Sequence, residues 1–132
     1  MNYLLDTHAL IWSITEKGKL SNAVRKIFEN GENSFLVSTI AFWEISLKFS
    51  SGKLELKGFV PDEIPGLSLQ SGFKIISISP EETSSHHRLI KTGHKDPFDR
   101  MLIWQAIQRN LIFITKDDDL DPNKTAGLKT FW

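Results

Sequence analysis

Apolar residues occur along the chain in short runs that are rich in branched and aromatic side chains. Each run predicts a buried strand. The runs cover residues 3–5, 35–37, 74–78, 111–114 and 128–131. Between them lie segments in which apolar residues recur at helical spacing. Strands that alternate with helices are typical of a parallel sheet covered on both faces. The pattern therefore predicts an α/β fold with a central, mainly parallel sheet of four or five strands.

Capping residues predict where the helices begin. The expected helices cover residues 7–15, 21–30, 39–50, a short stretch from 61, and 80–87. Residues 53–58 are expected to form a small extended piece. The helix that begins at Asp96-Pro97 has the clearest signals, because Asp96 is a favourable N-cap and Pro97 has no donor to leave unpaired. Asp99 then lies in the first turn, where the helix dipole favours negative charge.

Composition limits the class of protein. The chain has 132 residues, of which 40 % are hydrophobic and 24 % charged, which is typical of one globular domain over residues 1–132. Cysteine is absent, so disulfides, thiolate metal sites and thiol nucleophiles are excluded, and a reducing, cytoplasmic location is expected. No apolar stretch approaches the roughly 18–20 residues of a membrane helix, and no basic leader opens the chain. The 16 basic and 16 acidic residues balance, so net charge does not indicate a nucleic-acid binder, although local basic patches remain possible.

Acidic residues follow two of the predicted strands. Asp6 ends the first, and Asp117, Asp118 and Asp119 come shortly after the fourth. In parallel α/β sheets the ligand crevice lies beyond the carboxyl ends of the strands, so Asp6 and Asp117 converge if these strands are neighbours. Two helical acids, Glu44 and Asp99, are candidates to join them.

Four carboxylates in one place would repel one another, and a divalent cation resolves this conflict. Oxygen ligands without cysteine or a histidine motif suit Mg²⁺ or Mn²⁺ rather than Zn²⁺. Such ions neutralise phosphate oxygens and lower the pKa of a bound water. Metal-assisted hydrolysis of a phosphodiester is therefore the leading hypothesis.

Each candidate also has a purely structural interpretation. Asp6 and Asp96 are possible helix caps, and Glu44 is a possible solvated helix residue. Thr7 and Thr115 are either turn hydroxyls or groups that orient a carboxylate or a water. Three histidines without metal-ligand spacing are expected at the surface: His86, His87 and His94.

Four segments in this order carry a family resemblance. They are residues 4–12 (LLDTHALIW), 38–45 (STIAFWEI), 94–103 (HKDPFDRMLI) and 114–117 (ITKD). The chain resembles the PIN-domain family and, within it, the VapC-like toxins of prokaryotic type II toxin–antitoxin modules. The resemblance implies a three-layer α/β/α fold and a metal-dependent endoribonuclease that a small antitoxin holds inactive.

The resemblance also implies site residues. The family's acidic quartet, which would hold Mg²⁺ or Mn²⁺, corresponds to Asp6, Glu44, Asp99 and Asp117. Asp99 is preferred to Asp96 because the family's helix has alanine seven positions after the acid, as Ala106 is here. Asp96 would lie just outside the ligands, and Asp119 is an alternative to Asp117. Thr7 and Thr115 would position ligands or water, and four basic residues are candidates for RNA contact: Lys48, Lys95, Arg100 and Lys116.

Two other functions remain open. A phosphatase with an aspartyl nucleophile also has an acid after its first strand, but it usually has a second Asp two positions later, where this chain has His8. A binding module is the other alternative, either a non-catalytic PIN scaffold or a receiver-like domain, although a receiver would have an acid after its third strand and residues 76–79 (ISIS) have none. Four aromatic residues form either an apolar groove for an antitoxin helix, a homodimer interface, or part of the core: Trp12, Phe42, Trp43 and Trp104.

Overall fold

The computed structural model describes residues 1–120, 124 and 126–132. Within this part of the chain, five strands form one sheet in the order β3-β2-β1-β4-β5, and every neighbouring pair is parallel. The strands are β1 (Asn2–Leu5), β2 (Ser34–Ser38), β3 (Lys74–Ile76), β4 (Ile112–Ile114) and β5 (Lys129–Phe131). The sheet confirms the predicted α/β fold, and the pairing of β1 with β4 brings together the two strands that acids follow.

Helices connect the strands. They are α1 (Thr7–Thr15), α2 (Asn22–Glu29), α3 (Thr39–Ser50), α4 (Ile64–Gln70), α5 (Pro80–Ser85) and α6 (Pro97–Gln108). Short 3-10 turns cover Lys17–Lys19, Pro61–Glu63 and His86–Arg88. Residues 53–58, where a small extended piece is expected, form no strand and consist of turns and irregular backbone. His86 and His87 lie in a 3-10 turn after α5 rather than in the helix itself.

The core lies on both faces of the sheet. Successive residues of a strand point to opposite faces, and accordingly Leu5 and Leu4 belong to different apolar clusters. The cluster around Leu5 contains side chains of α1 to α4, and the cluster around Leu4 contains the buried face of α6. This division confirms the predicted three-layer α/β/α arrangement.

A polar network joins α5 to α6. The carboxylate of Glu82, which is 5 % exposed, accepts hydrogen bonds from Arg109 Nε at 2.7 Å and from Gln105 Nε2 at 3.3 Å. Burial alone would raise the pKa of Glu82, but the hydrogen bonds from Arg109 and from the Ser79 amide group hold it below its usual range. Among the described helices, none is long and apolar enough to cross a membrane.

Candidate active site

The carboxyl ends of β1 and β4 form the floor of the candidate site. Leu5 pairs with Ile114, so the residues that follow them emerge side by side, and the amide group of Asp6 donates to the carbonyl of Ile114 at 3.0 Å. Among the described residues, three acids line a pocket of about 190 Å³ at this edge: Asp6, Asp99 and Asp117. The structure thus brings together acids from two strand ends and from the first turn of α6.

Asp6 is the acid at the centre of the sheet edge. Its Oδ1 accepts from the amide group of Ala9 at 2.7 Å, which makes it the N-cap of α1, and its carboxylate also accepts from the side chain of Thr115. Burial raises the pKa of Asp6 to about 6. The charge of Asp99 also raises this pKa, whereas the hydrogen bonds from Thr115 and Ala9 lower it. Asp6 is therefore both a cap and an acid that the surrounding protein disfavours as an anion.

Glu44 lies deeper, on α3. Its side chain is 1 % exposed, and both carboxylate oxygens have donors. Thr7 Oγ1 donates to Oε1 at 2.5 Å, and Lys48 Nζ forms a short ion pair with Oε2. Burial lowers the pKa of Lys48. The hydrogen bond to Glu44 and the negative charges of Glu44, Asp96 and Asp99 are the larger influence, so the pKa is raised. Glu44 is thus a buried, fully paired anion and not a solvated helix residue.

Asp96 and Asp99 lie at the beginning of α6. Asp96 Oδ1 accepts from the amide groups of Phe98 and Asp99, so Asp96 caps the helix as its sequence position predicts. One oxygen each from Glu44, Asp96 and Asp99 lies within 4.8 Å of the others. Burial raises the pKa of Asp99, and the charges of Asp96 and Glu44 raise it further.

The three acids after β4 differ in position. Asp117 lines the pocket, and its amide group donates to Thr115 Oγ1 at 3.1 Å. The amide group of Asp119 donates to Asp117 Oδ1 at 2.9 Å. Asp118 and Asp119 are exposed and are not among the pocket residues. Of the three, Asp117 is best placed to act with Asp6 and Asp99.

His94 is a site residue that the sequence did not reveal. Its Nε2 lies 3.1 Å from Asp99 Oδ2 and its Nδ1 lies 3.8 Å from Asp117 Oδ2, so the expected surface position is wrong. Arg100 holds the loop in place by donating to the carbonyls of His94 and Ile90. The available signal was proximity in sequence, because His94 is two residues before the N-cap of α6.

The four basic residues predicted as candidates for RNA contact differ in how accessible they are. Lys48 is paired with Glu44 and Asp96, and Arg100 is occupied by backbone carbonyls. Lys95 and Lys116 are exposed beside the acids, with Lys116 Nζ 5.8 Å from the centre of the Trp12 ring. Two of the four are therefore accessible to a ligand, and two are engaged within the protein.

The four aromatic residues, expected to form a groove, a dimer interface or part of the core, also differ in position. Trp104 is 6 % exposed and donates to Ser85 Oγ at 3.1 Å, so it belongs to the core. Trp12 and Phe42 are half-buried and pack against the cluster that contains Leu5. Trp43 alone of the four lines the groove between α3 and α6, which has a volume of about 600 Å³. Its side chain is 58 % exposed and meets the ring of Phe98 edge-on at 5.2 Å between centroids.

The donor set of the pocket fits a hard divalent cation. Asp6, Asp99 and Asp117 offer carboxylate oxygens, which Mg²⁺ and Mn²⁺ prefer. Burial raises the pKa values of Asp6 and Asp99, and the charges of neighbouring carboxylates raise them further. A cation bound between them would favour both as anions.

Comparison with known families places this architecture. The family model for the PIN domain matches residues 3–124. The chain belongs to the PIN-domain family. Ribonuclease VapC22 from Mycobacterium tuberculosis (strain ATCC 25618 / H37Rv) is 26 % identical over 133 residues, which cover 98 % of this chain and 97 % of the relative. The predicted resemblance to PIN domains of the VapC type is confirmed.

Solved structures of other proteins share the fold. VapBC2 from Rickettsia felis, bound to a DNA fragment from its promoter, superposes with a TM-score of 0.67 and 21 % identity, over 100 % of this chain and 99 % of that chain. DNA-bound VapBC from Salmonella typhimurium has a TM-score of 0.66 and 18 % identity, over 99 % of this chain and 97 % of that chain. At these identities the likeness concerns the fold.

Proposed function

We propose that this PIN domain is a divalent-metal-dependent endoribonuclease and the toxin of a toxin–antitoxin module, in a single domain over residues 1–132. The observation that carries the proposal is the convergence of Asp6, Asp99 and Asp117 in one pocket, with Glu44 close to Asp99. The similarity to a curated protein named as a ribonuclease supports RNA as the substrate.

The acids of the site have different roles in this proposal, according to their positions. Asp6, Asp99 and Asp117 would hold Mg²⁺ or Mn²⁺, and Glu44, the fourth acid of the quartet, would add negative charge beside Asp99. When bound, the cation lowers the pKa of a water and neutralises charge on the phosphate. Asp96 shapes the first turn of α6, and exposed Asp119 remains the alternative to Asp117.

Two threonines and two lysines complete the arrangement. Thr7 fixes the carboxylate of Glu44 through a 2.5 Å hydrogen bond, and Thr115 fixes that of Asp6. These bonds set the direction in which the acids point before any ligand arrives. Exposed Lys95 and Lys116 would contact RNA phosphates. No protein nucleophile is needed.

The alternatives have less support. An aspartyl phosphatase and a receiver-like module belong to other families, whereas this chain matches the PIN domain over residues 3–124. A non-catalytic PIN scaffold is the remaining rival, and the convergence of three carboxylates in one pocket favours catalysis over it.

We further propose an antitoxin partner and a homodimer. The groove that Trp43, Phe98 and Met101 line is apolar and open, as a docking surface for a helix would be. The VapBC names of the similar structures support the antitoxin. Light scattering on the purified chain tests the dimer, and a cytoplasmic location stays a prediction from the sequence.

RNA cleavage by the purified chain tests the proposed activity. Structured RNAs incubated with Mg²⁺ or Mn²⁺ should be cut at defined positions, and EDTA should stop the reaction. Asp6→Asn should abolish cleavage because it removes the charge and keeps the cap, whereas exposed Asp118→Asn should cleave like the wild type. Full Mg²⁺-dependent activity of Asp6→Asn would refute the role of Asp6, and absence of cleavage by the wild type on every RNA would favour the scaffold.

A further inference from the structure

We propose that Lys48 is a built-in cation of this site, and that one chain consequently binds a single divalent ion. The ammonium group neutralises the side of the acidic cluster formed by Glu44 and Asp96. The divalent ion then binds on the other side of the cluster, which is formed by Asp6, Asp99 and Asp117. This inference rests on the proposed nuclease function and specifies how many ions the site takes and where.

The geometry of α3 fixes the lysine in this position. Lys48 follows Glu44 by four residues, so the two side chains lie on the same face of the helix. Its Nζ pairs with Glu44 Oε2 and lies 3.5 Å from Asp96 Oδ2, which belongs to α6. The lysine therefore links two elements that contribute acids to the site.

Glu44 has no oxygen left without a donor. Thr7 donates to one carboxylate oxygen and Lys48 to the other, and the side chain is 1 % exposed. A divalent ion on Glu44 would have to share an oxygen with one of these donors or displace it. In either case the ammonium group of Lys48 would remain next to the ion and repel it.

The spacing of the acids alone would permit an ion there. Oxygens of Glu44, Asp96 and Asp99 lie within 4.8 Å of one another, close enough for one cation to contact all three. The ammonium group already contacts two of them, Glu44 and Asp96. Lys48 thus has the position and the charge that a second metal ion would otherwise supply.

The neighbouring pocket has the opposite character. The described residues that line it include Asp6, Asp99 and Asp117 but neither lysine nor arginine. A divalent ion would bind there without displacing a fixed cation. Lys48 is therefore a positioning residue, because it acts through Glu44 and Asp96.

Counting bound Mn²⁺ tests this inference without an activity assay. The number of ions per chain is measured by isothermal titration calorimetry and by electron paramagnetic resonance of free Mn²⁺. We expect one ion for the wild type and two for Lys48→Met, because the uncharged side chain leaves the Glu44–Asp96–Asp99 oxygens without a cation. Lys48→Arg keeps the charge and should bind one ion. Lys53→Met is the matched control, since Lys53 is exposed, and it should also bind one.

Several results would overturn the inference. Two ions on the wild-type chain, or a single ion on folded Lys48→Met, would do so. Circular dichroism would show whether Lys48→Met folds. If it does not, the number of Mn²⁺ ions bound by the wild type and by Glu44→Gln still tests the inference. A wild type with two ions that loses one in Glu44→Gln contradicts the inference, and one ion in both supports it. A wild type that binds no Mn²⁺ refutes instead the proposed metal-dependent function on which the inference rests.

Discussion

In the absence of metal, Asp6→Asn should stabilise the protein at neutral and alkaline pH. Asp6 is a carboxyl whose pKa the fold raises from 3.8 to about 6, chiefly by burial. A raised folded-state pKa means that the protonated form is favoured in the native state. The stability that Asp6 contributes is therefore complete below the unfolded pKa and is lost as pH rises through about 6. Asparagine removes this cost because it has no charge to bury.

The size of the effect follows from the shift. A difference of about two pKa units corresponds to about 3 kcal/mol in the free energy of unfolding at pH 8. At pH 4.5, where Asp6 is mostly protonated in the native state, the expected gain falls to about 1 kcal/mol. The N-cap contributes little to the difference, since Asn and Asp cap helices about equally well and the bond from Ala9 is kept.

Urea unfolding in EDTA at these two pH values measures the gain. Asp118→Asn is the matched control, because Asp118 is an exposed acid outside the pocket, and its free energy of unfolding should change by less than about 0.5 kcal/mol. Added Mg²⁺ should then stabilise the wild type and the control but not Asp6→Asn. A variant less stable than the wild type at pH 8, or a gain that does not grow with pH, would refute the reasoning.

Two further substitutions test the fold. Arg109→Met should lower the free energy of unfolding by about 2 kcal/mol at pH 7, because it leaves the carboxylate of Glu82 without its charged donor. Since Glu82 has a lowered pKa in the native state, this loss should shrink as pH falls below 4.5. Leu102→Ala should cost about 2–5 kcal/mol, because Leu102 is fully buried, whereas Leu69→Ala at a 59 % exposed position should cost far less.

Urea titrations with matched controls decide both of these. Lys19→Met breaks the exposed pair of Lys19 with Glu16 and should change stability by less than about 1 kcal/mol. An Arg109→Met loss no larger than that control, or one unchanged at pH 3, would show that Glu82 is not stabilised as described. Equal costs at Leu102 and Leu69 would contradict the assigned core.

The fold could be predicted from the sequence because its signals are local. Strands are short apolar runs, and Ser21, Ser38 and Asp96 cap the helices that follow them. The segment at residues 53–58, expected to be a small extended piece, has no such signal and forms no strand. The positions of Asp6 and Asp117 also follow from local pattern, since parallel strands bring their carboxyl ends to one edge.

The rest of the site depends on contacts between distant segments. The pairing of Lys48 with Asp96 requires α3 to pack on α6, and periodicity within either helix does not specify that packing. His94 lies in a polar stretch of sequence, which predicts an exposed position. Its contact with Asp99 depends on a loop whose backbone accepts a hydrogen bond from Arg100. The aromatic residues do not share one groove for the same reason, because Trp43 is exposed and Trp104 is buried.

In the proposed function, acids from separate segments share one cation in the pocket. Anomalous diffraction from crystals soaked in Mn²⁺ tests it directly. We expect a single peak bounded by carboxylate oxygens of Asp6, Asp99 and Asp117, with the ammonium group of Lys48 still on Glu44. An electron-density map with no anomalous Mn²⁺ peak in this pocket, or with the peak beside other residues, would contradict the proposed site.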